Sequence, residues 1–110
     1  MKHLNAKYLI KIANEVGWEC DVKKEGKEYL VTFSMYTPKG QDVELEFTNK
    51  YLMCIWQDVR DYWENYNPDE EAIMWYGKNN GEPSSLRELL DDMEYVEKKL
   101  EELYMKLWLD

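Results

Sequence analysis

Hydrophobic positions along this chain change period twice. Leu4, Tyr8, Leu9, Ile12, Ala13 and Val16 recur at helical spacing before Gly17, with Lys7, Lys11, Asn14 and Glu15 on the other face. That pattern predicts an amphipathic first helix. The period then drops to two. Trp18, Cys20 and Val22 alternate, Gly26 marks a turn, and Tyr29, Val31, Phe33 and Met35 alternate again. After TPKGQD at 37–42, Val43, Leu45 and Phe47 do the same against Asp42, Glu44 and Glu46. These blocks read as a meander of two or three antiparallel strands, with Pro38 and Gly40 in a tight connection.

From Thr48 the helical period returns. Leu52, Ile55, Trp56, Val59, Tyr62, Trp63 and Tyr66 share a stripe that ends at Asn67–Pro68, opposite Gln57, Asp58, Asp61, Glu64 and Asn65. PDEEAIMWYG fits one or two helical turns from Pro68, where acids suit the helix dipole, or a short strand over Ile73–Tyr76. GKNNGEP reads as a loop, and Ser85 with Glu88 forms a capping box for a last helix. In that helix Leu86, Leu89, Met93, Val96, Leu100, Leu103 and Leu107 follow 3-4 spacing, three heptads of an apolar seam. The expected class is α+β in a single domain over 1–110. An N-terminal helix leads to a small antiparallel sheet, then two or three helices including a long C-terminal one, with helices packed on one sheet face. Because the apolar strand positions need a cover, the seam is expected to pack inside the chain rather than against a second copy.

At 110 residues, with 45% hydrophobic side chains and five Trp, the chain can build a core without staples. Its net charge of −9 is unevenly placed. Residues 1–50 carry eight basic and eight acidic side chains, whereas residues 51–110 carry six and fifteen. Such a surface repels nucleic acid and anionic membrane and favours a basic partner. Cys20 and Cys54, 34 positions apart, form neither a CxxC motif nor a zinc pattern and read as two reduced, buried thiols. The N-terminal segment lacks the continuous apolar core of a signal peptide, and no run approaches the ~18 apolar residues of a membrane span. The expected location is the cytoplasm.

Catalytic and metal chemistry find little support. His3 is the only histidine, so neither cysteine has an evident activating base, and the serines 34, 84 and 85 sit in no nucleophile elbow. GKNNGEPSS lacks the order of a phosphate-binding loop. Glu70–Glu71 and Asp91–Asp92 are neighbours on a helix, pointing about 100° apart, without the alternating oxygen ligands of a calcium loop. No enzyme activity, metal or cofactor is expected.

FSMYTPKGQD at 33–42, the GKNNGEP loop and LRELLDDME at 86–94 together resemble a family of small acidic proteins encoded on phages, plasmids and integrative elements of anaerobic gut bacteria. The shared pattern is FSxYTPxGQD, GKNxGxP and LxELxxDME, across most of residues 28–107. The resemblance brings no catalytic residue. It implies a mobile-element context, in which small acidic proteins often resemble inhibitors of defence nucleases, including anti-CRISPR and anti-restriction proteins.

The expectation is therefore a non-enzymatic protein that binds a basic protein surface, such as the nucleic-acid channel of a defence nuclease. It is not expected to bind nucleic acid or membrane directly, and is expected to be a monomer or homodimer. The alternative is an assembly module that dimerises through its last helix. The binding residues expected from charge and aromatic placement are Asp58, Asp61, Glu64, Asp69, Glu70, Glu71, Trp75, Tyr76, Asp91, Asp92, Glu94, Glu97, Glu101 and Glu102. Tyr62, Trp63 and Tyr66 are expected to belong mainly to the core, while Tyr104 and Trp108 fit the buried stripe less well.

Overall fold

A computed structural model describes residues 5–78 and 85–109. His3, Leu4 and residues 79–84, which include most of the expected GKNNGEP loop, lie outside them; Gly77 and Lys78, expected in that loop, are the last residues of a helix. The elements in order are α1 (Ala6–Glu15), β1 (Glu19–Glu25), β2 (Glu28–Tyr36), β3 (Asp42–Asn49), a 3-10 turn (Leu52–Cys54), α2 (Ile55–Glu64), α3 (Pro68–Lys78) and α4 (Leu86–Leu109). The class is α+β, as the pattern predicted. The segment over Ile73–Tyr76 is helix.

Local chemistry sets the boundaries. Asn5 caps α1 by accepting from the Tyr8 amide at 2.8 Å, and Gly17, at φ +88°, turns the chain toward β1. Asn67 caps α3, accepting from Asp69 N at 3.0 Å, and Pro68 occupies the first helical position. Asp69, Glu70 and Glu71 fill its first turn, where carboxylates stabilise the exposed amides. Ser85 opens α4, with the Glu88 amide donating to its hydroxyl oxygen at 3.2 Å.

The sheet is antiparallel in the order β1-β2-β3. Its register pairs Val22 with Val31 and Val31 with Phe47, and Cys20 with Phe33 and Phe33 with Leu45, so these residues share the face beneath the helices. The opposite face carries Glu19, Ser34 and Glu44 in one row and Asp21, Thr32 and Glu46 in the next. Helices cover the first face only.

α4 organises that cover. Leu89, Met93, Val96, Leu100, Leu103 and Leu107 are all buried, packed with Leu9 and Ile12 of α1, Phe33 of β2 and Val59 of α2. The heptad seam is thus filled by the chain's own core, and only Leu86 at its start is exposed. Trp18 is buried and its indole N–H donates to the Lys99 carbonyl oxygen at 3.0 Å, fastening the α1–β1 corner to α4.

Two expectations change. Cys20 and Cys54 are free thiols as expected, but half-buried rather than buried. Asp92 is not on the acidic surface: it is 1% exposed. Its Oδ2 accepts from the Thr37 hydroxyl at 2.5 Å and its Oδ1 from the Lys39 amide at 3.2 Å. Thr37 in turn accepts from the Gln41 amide at 2.8 Å. The TPKGQD turn and the start of α4 are therefore one hydrogen-bonded unit.

Candidate protein-binding groove

The aromatic stripe and the acids meet beside β3. Asn49, at the end of β3, donates through Nδ2 to Asp58 at 3.0 Å and pins the start of α2 against the strand. Further along, α2 and α3 leave an open groove of about 550 Å3. It is lined by Glu46, Phe47 and Thr48 of β3, Asp58, Asp61, Tyr62, Asn65 and Tyr66 of α2 and its C-terminal turn, and Glu71 of α3. A smaller hollow of about 210 Å3 shares Tyr62, Tyr66 and Glu71 with it and adds Glu44, Met74 and Trp75.

An aromatic series links this groove to the core. Phe33 meets Phe47, Phe47 meets Tyr62 edge-on and Tyr62 meets Tyr66, each with ring centroids 6.0 Å apart. Tyr62 and Tyr66 are therefore half in the core and half in the groove lining. The Tyr66 hydroxyl reaches Met93 Sδ of α4 at 3.3 Å.

The electrostatics are one-sided. Burial, and after it the Glu71 carboxylate, push the Tyr62 phenol above its ordinary value. Burial followed by Glu71, Tyr62 and Glu97 does the same at Tyr66. Both shifts disfavour a phenolate; burial, the larger cause, disfavours any charge, and only the carboxylate contribution has the sign that attracts a cation. Among the described residues Glu44, Glu46, Glu71 and Glu97 make no ion pair. Arg60 offsets part of the charge, pairing with Asp61 and Glu64 at 3.2 Å each and lying 5.1 Å from the Trp56 ring centre.

The expected binding residues divide by place. Asp58, Asp61 and Glu71 line the groove, Trp75 lines the smaller hollow, and Glu97 is close enough to act on Tyr66. Glu64 lies on the exposed side of α2, held by Arg60. Asp69, Glu70 and Tyr76 are on the outer side of α3, beside exposed Ile73 and Met74. Asp91, Glu94 and Glu101 form the solvent stripe of α4, while Glu102 is paired with Lys99 at 3.2 Å. Glu94 and Lys98, four apart on α4, form no ion pair among the described residues. Tyr104 and Trp108 pack on Trp63 and Trp56 at 5.2 and 4.5 Å, with Trp108 still largely exposed.

Sequence reading missed Glu44 and Glu46. The signal was present, since both alternate with Val43, Leu45 and Phe47. It was hidden by counting charge over the whole first half, where lysines elsewhere cancel it. Among the described residues no cluster of three or more His, Cys, Asp or Glu side chains is arranged to hold a metal ion, and no helix is long and apolar enough to cross a membrane. In comparisons with known proteins, no family profile, curated sequence or solved structure matches this chain.

Proposed function

We propose that this protein is a non-enzymatic binding protein that seats a basic protein surface in the β3–α2–α3 groove. The observation that carries the reading is the lining itself. Carboxylates from two helical segments, Asp58, Asp61 and Glu71, line the groove with the half-buried Tyr62 and Tyr66, and Glu46 borders it from β3 with its side chain on the open sheet face. Phenol rings accept cations on their faces, and carboxylates around them supply the charge. Lysine or arginine side chains fit this chemistry, whereas phosphate does not. The resemblance to mobile-element proteins supports a defence nuclease as the partner, met at the basic channel where it would otherwise hold nucleic acid, with inhibition as the result. The location consistent with that partner is the cytoplasm.

The test is affinity capture from a lysate of the bacterium carrying the gene, at ~50 mM and ~200 mM salt, a range over which charge-driven contacts weaken steeply. Wild type is compared with Glu46→Lys/Asp61→Lys/Glu71→Lys. The expected result is a basic protein retained by wild type at low salt and lost with the triple reversal. That protein, purified, should lose nucleic-acid binding when wild type is added. Equal retention by both forms would remove the groove from the account.

A further inference from the structure

The groove has a strand edge for one wall, which narrows the form of its partner. β3 is the outer strand of the sheet, and its backbone alternates between two directions. Two observations fix that alternation. The Thr37 amide donates to the Gln41 carbonyl oxygen at 2.9 Å, and Met35–Val43, Phe33–Leu45 and Val31–Phe47 continue the same pattern along an unbroken register. At the other hairpin the two-residue turn closes on Glu25 and Glu28, which directs the even-numbered residues of β2 toward β1 and leaves the odd-numbered ones for β3. Val43, Leu45 and Phe47 therefore bond inward. The amides and carbonyls of Asp42, Glu44, Glu46 and Thr48 point outward, and among the described residues nothing pairs with them.

We infer that the occupant is an extended basic peptide segment of the partner protein, added as a fourth strand along Asp42–Thr48. This rests on the groove being the binding surface. An added strand shares side-chain faces with its neighbour. Its residues opposite Glu44 and Glu46 would lie on the open face beside those carboxylates. The intervening residues would enter the groove beside Phe47, among Tyr62, Asp61 and Glu71. Both faces of the incoming strand thus meet carboxylates, and both favour arginine or lysine. The open edge from Asp42 to Thr48 is ~20 Å long, enough for about seven residues. Charge also works against a second copy of this chain. Its own β3 would set Glu44 and Glu46 against their duplicates, whereas its β1 is of mixed charge, with Glu19 and Asp21 beside Lys23 and Lys24, and matches the groove less well than a wholly basic strand. Charged edges that prevent self-pairing here leave the edge open to a strand of opposite sign.

The probe is the capped heptapeptide Arg-Thr-Arg-Thr-Arg-Thr-Arg, titrated against wild type at low salt beside the same peptide with every backbone N–H methylated. The two carry the same charge, and only the first can add to a strand. Pairing predicts that methylation weakens binding by about tenfold or more, the size of effect that one or two lost hydrogen bonds produce. The unmodified peptide should also slow amide exchange at Glu44, Glu46 and Thr48. Glu46→Pro removes an outward amide and leaves the β2 ladder intact, so it should lose binding that Glu46→Gln largely keeps, with circular dichroism verifying the fold. Equal, salt-dependent binding of both peptides would overturn strand addition and leave the acidic groove standing. Failure of both peptides to bind at low salt would overturn the two readings together.

Discussion

Replacing Asp92 by alanine should destabilise the fold far more than the same change at its neighbour Asp91. Asp92 is buried and accepts from Thr37 at 2.5 Å and from the Lys39 amide at 3.2 Å, whereas Asp91 faces solvent. The shorter contact is a charge-assisted O–H···O bond, a class that contributes about 1.5–3 kcal/mol. Alanine also strands the Thr37 hydroxyl and the Lys39 amide, so the total cost is about 3–5 kcal/mol. Asp91→Ala should stay within about 0.5 kcal/mol of wild type. Thr37→Val removes the same bond from its other end, together with the acceptor for the Gln41 amide at 2.8 Å. Because the two residues share a bond, the double variant should be less destabilised than the sum of the singles by about 1.5–3 kcal/mol. Urea unfolding followed by tryptophan fluorescence measures each term. An additive cycle, or an Asp92→Ala cost no larger than that of Asp91→Ala, would refute the proposed link between the TPKGQD turn and α4.

Leu100 is fully buried, so Leu100→Asp should abolish the folded state by placing an unpaired charge in the core; sedimentation showing a wild-type dimer converted to a folded monomer would contradict the packing of α4. Burial, aided by Asp21, pushes the Cys20 thiol up to about 12. Folding therefore favours the neutral thiol, a contribution complete below the unfolded value of ~8.5 and lost as pH rises from there toward about 12. Alkylation of Cys20, followed by peptide mapping, should be slow at pH 8 in the native state and still accelerating beyond pH 10, and a plateau near pH 9 would count against it. Tyr76→Ala, at a site 53% exposed, should leave stability within about 0.5 kcal/mol while speeding partner dissociation if α3 joins the contact. Unfolding by urea and dissociation rates separate those two effects.

How much was legible in the sequence depended on whether one period dominated a segment. α4 was evident because seven apolar residues keep 3-4 spacing behind a Ser85–Glu88 cap, and the strands because alternation continues through Met35 and again through Phe47. α3 was ambiguous because Ala72, Ile73, Met74, Trp75 and Tyr76 are consecutive and carry neither period. Its helix is settled by Asn67, Pro68 and the acids of its first turn, together with packing against α4. Asp92 was misplaced because it was counted with Asp91 as surface charge. Its spacing, three after Leu89 and four before Val96, put it on the buried stripe, and a polar residue there needs a partner that only the folded chain reveals. The groove was half visible. Asp58 and Asp61 were expected at a binding surface, Tyr62 was expected mainly in the core, and the β3 wall required the register that sets Glu44 and Glu46 along an unpaired edge.

The central claim is that the groove's carboxylates draw in a basic partner, and association kinetics test it most directly. The partner recovered by capture is mixed with wild type and with Glu46→Lys/Asp61→Lys/Glu71→Lys over a range of salt. The association rate of wild type should exceed the roughly 10⁵–10⁶ M⁻¹ s⁻¹ of unsteered encounters at low salt and fall steeply as salt rises. The triple reversal should bring it to or below the unsteered range with the fold intact. A wild-type rate indifferent to salt, and unchanged by the reversal, would mean that these acids only solvate the surface.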